Sequence, residues 1–425
     1  MSEIAIKTLL DQTDSDIASY LEACVHCGEC AEACHFYEAT HDPKYTPTYK
    51  LQPLVKAYKR HKAPLRGIKK LFGLVPDEVT EDELREWEPL IYDSCTMCGR
   101  CTLVCPMGID IAGTIRKVRE GYAAAEILPD GLKQARKNVE ATSSPMGVTA
   151  KALLAQVRHQ KEDTGLDIPV DVEGVDYLAI LSSHEIMASP EIIGSYAKIF
   201  KRAGLTWTLS TKAYEATNVG VQIGSAPLAK QLVQRVVDEA ERLGVKYVIS
   251  PECGHAYGAI RWAGPNLIGR TFNFEVLHIV ELLDKLRREG KIPPGEKDGR
   301  KMTMHDPCQI IRRGGLMKEP RRLVDDACSD FVEMEGAGIA NLCCGGGGGV
   351  SANQRAEDLM IGAFGVKMAQ IDKLGGVDAV VVPCANCRGV FEDGLFELDR
   401  EEVEVIGLGQ LVADTLADDP PAPAE

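Results

Sequence analysis

Residues 24–34 read CVHCGECAEAC, and residues 95–105 read CTMCGRCTLVC. Both are Cys-x2-Cys-x2-Cys-x3-Cys runs, the spacing that holds pairs of [4Fe-4S] clusters. Three cysteines of such a run wrap one cluster from a single loop, and the fourth, at the start of the following helix, reaches the other cluster. The two runs therefore predict a domain that binds two cubane [4Fe-4S] clusters.

The predicted ligands cross between the two runs. One cubane is expected to bind Cys24, Cys27, Cys30 and Cys105, and the other Cys95, Cys98, Cys101 and Cys34. Gly28 and Gly99 allow the backbone to approach each cluster and donate N–H groups to sulfide. Zinc is the alternative, but structural zinc sites commonly use paired cysteines with a longer gap. His35 stands where the first run would usually have proline, which changes the helix start and not the ligand set.

The composition is that of a globular chain in a reducing compartment. The chain has 425 residues, 45% of them apolar, enough for two or three domain cores. Thirteen of its 15 cysteines fall into groups with metal-ligand spacing, so we expect a cytoplasmic location without disulfides. We expect no export signal and no membrane span, so that contact with the inner face of the cell membrane would require a partner. A net charge of −15 argues against nucleic acid as the main partner.

Charge is uneven in one part of the chain. Residues 44–70 carry nine lysines and arginines, no acid lies between Pro43 and Pro76, and the stretch 77–88 that follows is acidic. Two solvated helical faces are the simpler interpretation. The alternative is a docking patch for an acidic or membrane-bound partner, with Lys56, Lys59 and Arg60 as its test positions.

Hydrophobic periodicity divides the chain into parts. Residues 1–125 read as a mostly helical ferredoxin-like domain, 126–174 as a helical connecting segment and 417–425 as a disordered tail. From Tyr177 onward, short apolar strands alternate with amphipathic helices, and the pattern recurs after a linker rich in glycine and proline at 290–299. Residues 175–289 and 300–416 are therefore predicted to form tandem α/β domains.

A third group of cysteines lies in the last α/β domain. Adjacent cysteines cannot chelate one ion as a Cys-x-x-Cys pair does, so Cys343-Cys344 suits a larger and less symmetric cluster. The glycines that follow, Gly345 and Gly346 first, allow close backbone approach to such a cluster, whereas a flexible linker is the alternative interpretation. The whole group, placed at predicted strand ends, is Cys308, Cys343, Cys344, Cys384 and Cys387.

This spacing, together with the two N-terminal runs and the tandem α/β domains, resembles the family formed by the D subunits of heterodisulfide reductases, whose cysteine-rich domains carry a CCG motif. The K subunit of the Dsr membrane complex of sulfur metabolism is a similar relative. The resemblance covers nearly the whole chain. It implies that the five cysteines bind a catalytic non-cubane [4Fe-4S] cluster, at which a disulfide is cleaved or formed.

The first α/β domain departs from this motif. Where cysteines are expected it has Ser182-Ser183-His184, Thr217-Asn218 and, within PECGHAY, the one retained Cys253. It therefore cannot hold a second five-cysteine cluster. Cys253 and His255 are interpreted as structural remnants, with a role toward substrate or protons as the alternative. His305 is expected to orient its loop, and Cys328 to be a buried apolar residue.

Together these features predict an oxidoreductase, the iron–sulfur catalytic subunit of a heterodisulfide-reductase-like complex. Electrons would pass through the two cubane clusters to or from the special cluster, which would reduce or form a disulfide or persulfide-type substrate. The alternatives are a non-catalytic relay between a flavoprotein dehydrogenase and quinone, and a purely structural cluster subunit. The expected partners are a membrane subunit carrying quinone or haem, or a soluble flavoprotein, with a small-molecule or protein disulfide or thiol as substrate.

Overall fold

The computed structural model describes residues 1–417, and these divide into two compact units. The first unit contains Met1–Arg136, Val219–Ala229 and Leu342–Lys367, and the second contains the rest of the described chain. The predicted domains are contiguous in sequence, with boundaries at 125, 174, 289 and 300, whereas the two units are not. The domain boundaries stay a prediction. The predicted tail at 417–425 lies, apart from Ala417, outside the described residues.

The first unit is helical, as predicted for the cysteine runs. Its longer helices start where the sequence supplies caps: Thr80 and Glu83 form a reciprocal capping box, and the Asp110 carboxylate accepts from the Gly113 N–H at 2.9 Å. The helices are Ser2–Asp11, Ser15–Ala23, Glu29–Glu32, His35–Thr40, Gln52–His61, Arg66–Leu71, Glu81–Tyr92, Arg100–Val104, Ile111–Ala124 and Val219–Ile223. Short 3-10 turns occupy Pro43–Tyr45, Tyr49–Leu51, Val350–Ala352 and Gln354–Ala356.

Buried charges fix the segment Leu342–Lys367 within the first unit. The Arg355 guanidinium donates to the Asp93 carboxylate at 2.6 Å and to Glu88 at 2.7 Å, and the Asn353 amide donates to Asp93 at 3.0 Å. Both acids are buried, so these hydrogen bonds compensate groups that would otherwise be costly to remove from water. The glycine-rich stretch that follows Cys344 is thus part of an ordered segment and not a flexible linker.

The second unit contains two parallel four-stranded sheets among the described residues. Strands β1 (Tyr177–Ala179), β2 (Trp207–Thr208), β3 (Tyr247–Ser250) and β4 (Glu275–His278) form a sheet of order β2-β1-β3-β4. Strands β5 (Asp298–Met304), β6 (Cys328–Phe331), β7 (Ala379–Val381) and β8 (Glu404–Ile406) form the second sheet, of order β6-β5-β7-β8. The identical strand order confirms the predicted tandem α/β repeat.

Helices cover these sheets and share one hydrophobic core. Ala179 and Ile249 of the first sheet and Met302 and Val381 of the second belong to the same cluster of buried side chains. The helices of this unit are Ala150–Thr164, Ser183–Met187, Glu191–Arg202, Gly254–Tyr257, Gly264–Ile268, Ile279–Arg288, Glu319–Ala327, Ala385–Glu397 and Leu408–Asp414. A π-helical turn occupies Gly258–Trp262, and a 3-10 turn Gly338–Ala340.

Three helices, Asp130–Thr142, Ala226–Leu243 and Glu357–Asp372, contribute residues to both units. Six of the eight strands found among residues 1–417 lie in the short apolar segments from which the α/β repeat was predicted, and β4 and β8 were not predicted. Within that range no helix combines the length and apolarity that crossing a bilayer requires.

Candidate iron–sulfur centres

The first predicted cluster site is a cavity in the first unit. Its wall contains all four cysteines predicted to hold one cubane, Cys24, Cys27, Cys30 and Cys105. Cys24 ends the helix Ser15–Ala23, and Gly28 begins the next helix with a φ of +92°. Because side chains disfavour this backbone conformation, glycine at this position lets the chain turn tightly around the cavity. Much of the remaining wall is apolar, including Met107 and Ile109.

The second predicted set lines a separate cavity in the same unit. Its wall contains Cys34, Cys95, Cys98 and Cys101. Gly99 repeats the role of Gly28, with a φ of +78° at the start of the helix Arg100–Val104. Cys34 comes from the first run and Cys105 from the second, so the structure groups the thiols in the crossed arrangement. Their binding to iron stays a prediction.

The electrostatics of the two cavities fit clusters of positive metal ions. Burial raises the pKa of the Cys101 thiol, and its neighbours in the same cavity, Cys98, Cys95 and Cys34, raise it further. Burial likewise raises the pKa of Cys30. Four neighbouring thiolates are stable in such a place only when cations compensate their charge, and an all-sulfur donor set is the one that iron–sulfur clusters use. The residues present therefore fit two [4Fe-4S] clusters.

Cys343 lies beside the second of these cavities. Its Sγ is 3.4 Å from the Thr96 Oγ1, and Thr96 directly follows Cys95. A Cβ added to Gly348, whose φ is +64°, would lie 2.8 Å from the Thr96 carbonyl carbon. Gly348 thus has a structural reason besides any cluster, because only a residue without a side chain lets the backbone pack against Thr96 at this position. Gly345 and Gly346 are buried, and their predicted place beside a cluster stays a prediction.

A buried arginine connects this glycine run to the second cysteine run. Arg119 is completely buried, and its guanidinium donates to four backbone carbonyl oxygens. The acceptors are the carbonyls of Ile91 at 2.8 Å, Cys95 at 2.7 Å, Gln222 at 2.6 Å and Gly348 at 2.5 Å. The Tyr92 ring lies 4.8 Å from the guanidinium carbon. Sequence reasoning missed this residue because nothing in the local pattern distinguishes it from a solvated arginine.

The other three cysteines of the third group lie in the second unit. Cys308 follows β5, and Cys384 and Cys387 follow β7, the neighbouring strand, so all three lie at the carboxyl edge of one parallel sheet, as predicted. All three are buried. A hydrogen bond with the Cys387 thiol lowers the pKa of Cys384, which stands at the N-cap position of the helix Ala385–Glu397. The set is therefore divided between the units, with Cys343 and Cys344 in the first.

Three further residues, whose roles the sequence analysis discussed, are all buried in the second unit: Cys253, His305 and Cys328. Cys253 is buried, and its pKa is raised by burial and further by the nearby Cys384. Cys253 therefore lies beside Cys384 of the predicted special site. His305 is buried with its ring 5.0 Å from that of Phe391, and Cys328 is buried as predicted.

A buried carboxyl group lies beside the positions where the first α/β domain lacks the expected cysteines. Glu215 Oε1 accepts the Ser183 N–H at 3.3 Å and the Thr217 N–H at 3.0 Å. Its Oε2 has no hydrogen-bond partner within residues 1–417. Burial raises the pKa of Glu215 to about 8, so the group is largely protonated at neutral pH. The sequence could have revealed Glu215, because it is an acid close to Thr217-Asn218, where the motif has its adjacent cysteines.

An ion pair links the two α/β domains within the second unit. Arg388, which directly follows Cys387, donates to the Glu252 carboxylate, and both side chains are almost fully buried. Glu252 also accepts the Gly409 N–H at 2.8 Å. Glu252 directly precedes Cys253, so the pair connects the loop that carries Cys253 to the helix Ala385–Glu397, which carries Cys387.

Two cations of the basic stretch pair with acids that follow it. Lys56 pairs with Glu83, and Arg60 pairs with Glu78. Lys50 is buried and is not part of any surface. These pairs favour solvated helical faces over a docking patch at Lys56 and Arg60.

Comparison with known proteins gives two domain matches. Residues 20–109 match the 4Fe-4S dicluster domain, and residues 302–392 match the CCG cysteine-rich domain. The dicluster match spans both cysteine runs, and the CCG match spans Cys308 to Cys387.

Whole-chain relatives agree with these domains. The iron–sulfur subunit 2 of an Hdr-like menaquinol oxidoreductase from Archaeoglobus fulgidus is 28% identical over 97% of this chain and 82% of its own length. The D subunit of the dihydromethanophenazine:CoB–CoM heterodisulfide reductase from Methanosarcina barkeri is 28% identical over 93% of this chain and 94% of its own. The predicted resemblance to the D subunits of heterodisulfide reductases is confirmed. An EtfAB:quinone oxidoreductase from Syntrophomonas wolfei is 27% identical over 90% of this chain and 56% of its own length. The chain is thus similar to iron–sulfur electron-transfer subunits of oxidoreductase complexes.

Proposed function

We propose that this chain is the iron–sulfur catalytic subunit of a heterodisulfide-reductase-like complex, acting on a disulfide or persulfide-type substrate. The observation that supports this most directly is the 3.4 Å contact between the Cys343 Sγ and the Thr96 Oγ1. It joins a cysteine of the predicted special site to the loop of the second predicted cubane within one compact unit. When bound, the clusters supply one-electron transfer and a site for sulfur exchange.

The chain's own residues supply what such a reaction needs around the clusters. Reduction of a disulfide consumes two electrons and two protons and yields two thiols. The contact with Thr96 places Cys343 beside the second predicted cubane site. The five candidate cysteines are all buried, so water is kept from the sulfur atoms.

Iron content and thiol release test this proposal together. The protein purified without oxygen is expected to contain about twelve irons, three clusters of four. With a chemically reduced dye as electron donor, it should release thiols from a disulfide substrate. Cys344→Ser should keep about eight irons and lose at least 100-fold in thiol release. Cys328→Ser, a buried cysteine outside every predicted set, is the matched control and should change neither quantity.

The same measurements discriminate the alternative. A relay between a flavoprotein dehydrogenase and quinone is favoured by the similarity to the EtfAB:quinone oxidoreductase. A relay would pass electrons from a reduced flavoprotein to a quinone analogue without releasing thiol from any disulfide. Twelve irons without thiol release would therefore replace the catalytic proposal by the relay.

We further propose that the protein attaches peripherally to the membrane that holds its partner, through residues 65–74. This short segment carries exposed cations at Arg66, Lys69 and Lys70. It also exposes five large apolar side chains, the most exposed of them by 82%: Leu65, Ile68, Leu71, Phe72 and Leu74. Cations interleaved with exposed apolar groups are typical of segments that lie in the interface of an anionic bilayer.

Phe72→Asp is expected to weaken binding to vesicles that contain anionic phosphatidylglycerol by about tenfold, because it removes one inserted ring and adds a repelled charge. Co-sedimentation of the holoprotein measures the effect. Phe396→Asp is the matched control, since Phe396 is 63% exposed and Phe72 is 70% exposed. Equal weakening in both variants, or no binding of the unchanged protein, would contradict this attachment site.

A further inference from the structure

Lys50 is a buried cation at the second cluster site. Only 2% of the residue is exposed, although the sequence places it in a basic stretch typical of surface. It lies in the turn Tyr49–Leu51, and its Nζ donates to the Ser94 carbonyl oxygen. The same Nζ is 3.8 Å from the Cys34 Sγ and 5.4 Å from the centre of the Phe36 ring. The ammonium therefore points at one of the four cysteines of the second cavity.

No carboxylate in the described part of the chain pairs with the Lys50 ammonium. The ion pairs of residues 1–417 include no carboxylate partner for Lys50; its contacts are a carbonyl, a thiol and an aromatic face. A buried ammonium without a counter-charge is costly, so such groups are retained where an anion faces them. The thiolates of the second cavity, with the anionic cluster they would hold, are that counter-charge.

The two cavities differ in this respect. The wall of the second contains the buried Lys50. The wall of the first contains Lys59, which is exposed and therefore screened by water. Since reduction adds negative charge to a cluster, a fixed cation in a dry environment stabilises the reduced state more than a solvated cation does. Hydrogen bonds to the ligand sulfur act in the same direction.

We propose that Lys50 raises the reduction potential of the cluster held by Cys34, Cys95, Cys98 and Cys101 above that of the other cluster. Electrons in the N-terminal domain then rest on the cluster beside the Cys343–Thr96 contact, the place from which they can leave toward the third cysteine group. Lys50 acts by its charge on the reduction potential of the cluster, and it does not itself contact substrate. This inference rests on the two-cluster part of the proposed function and not on its sulfur chemistry.

The test is a redox titration of the holoprotein, followed by electron paramagnetic resonance. In the unchanged protein two cubane potentials are expected. Lys50→Met removes the charge at similar volume, and the higher of the two potentials should fall toward or below the lower one, which should not move. Lys50→Arg keeps the charge and should leave both potentials nearly in place. Lys59→Met, at the wall of the first cavity, is the matched control and should leave the higher potential unchanged.

Three results would overturn the inference. The higher potential stays in place in Lys50→Met with all irons retained; the lower potential moves instead; or both Lys50→Met and Lys50→Gln lose the cluster, which would make the lysine a requirement for cluster binding. If only the methionine variant loses irons, Lys50→Gln provides the measurement. Fewer than eight irons in the unchanged protein would instead contradict the cluster content in the proposed function, before any variant is compared.

Discussion

Arg119→Met is expected to destabilise the holoprotein by roughly 3–5 kcal/mol, because it removes the donor of several buried carbonyl oxygens. The four carbonyl oxygens that Arg119 binds would be left without a donor in a site that water does not reach. Each unsatisfied buried acceptor costs about 1–3 kcal/mol, and relief of the buried guanidinium charge offsets part of that sum. Thermal unfolding without oxygen, at full iron content, measures the effect.

Arg85→Met is the control for this prediction. Arg85 is an exposed arginine in the same unit, paired with Glu81 at 2.8 Å, and such pairs contribute about 0–1 kcal/mol. A second expected effect of Arg119→Met would not follow from the loss of an ordinary buried arginine. Because it binds the carbonyls of Cys95 and Gly348, its loss should also slow electron exchange between the N-terminal clusters and the third cysteine group. An Arg119→Met protein as stable as Arg85→Met would contradict the role assigned to the guanidinium.

The residues that the sequence revealed are those whose signal is local. The cysteine runs have a fixed spacing, and the crossed grouping of Cys34 and Cys105 follows from that spacing alone. Strand and helix alternation is also local, which is why the tandem α/β repeat was predicted correctly. The strand β4 was missed because it runs without a turn into the helix Ile279–Arg288, and β8 because Glu402 and Glu404 interrupt its apolar residues.

The residues that the sequence did not reveal depend on packing between distant parts of the chain. Arg119 and Gly348 are separated by 229 positions, and Lys50 and Ser94 by 44. A lysine among other lysines, or an arginine in an amphipathic helix, has the pattern of a solvated side chain. Only the fold shows that Lys50 and Arg119 are buried at the second cysteine run, and that Glu215 is buried where cysteines were lost.

The two cysteine-lined cavities of the first unit differ in exposure. We call the more exposed one the outer site and the other the inner site. Cys27 of the first cavity is exposed, whereas the second cavity has two buried cations nearby and contacts the segment that carries Cys343. An exposed site suits exchange with a partner protein. A site beside buried cations and Cys343 suits the electron transfer proposed above. The two cysteine runs have the same spacing, but their environments differ in burial and in charge.

Substituting the fourth cysteine of each run, Cys34 or Cys105, by alanine tests the crossed arrangement most directly. Each substitution should remove or degrade one cluster and spare the other. In the crossed arrangement, Cys34→Ala damages the same cluster as Cys101→Ala, and Cys105→Ala damages the same cluster as Cys27→Ala. The surviving cluster in each pair of variants should show one resonance spectrum and one potential. Up to about four irons should be lost from each variant.

If each run instead bound its own cluster, the pairs would exchange partners. Cys34→Ala would then match Cys27→Ala, and Cys105→Ala would match Cys101→Ala. The cavities argue for the crossed outcome because Cys34 lines the same wall as Cys95, Cys98 and Cys101, with Lys50 beside it. The higher potential should accordingly survive in Cys105→Ala and be absent from Cys34→Ala. This result would assign the inner cluster to its four ligands without reference to any substrate.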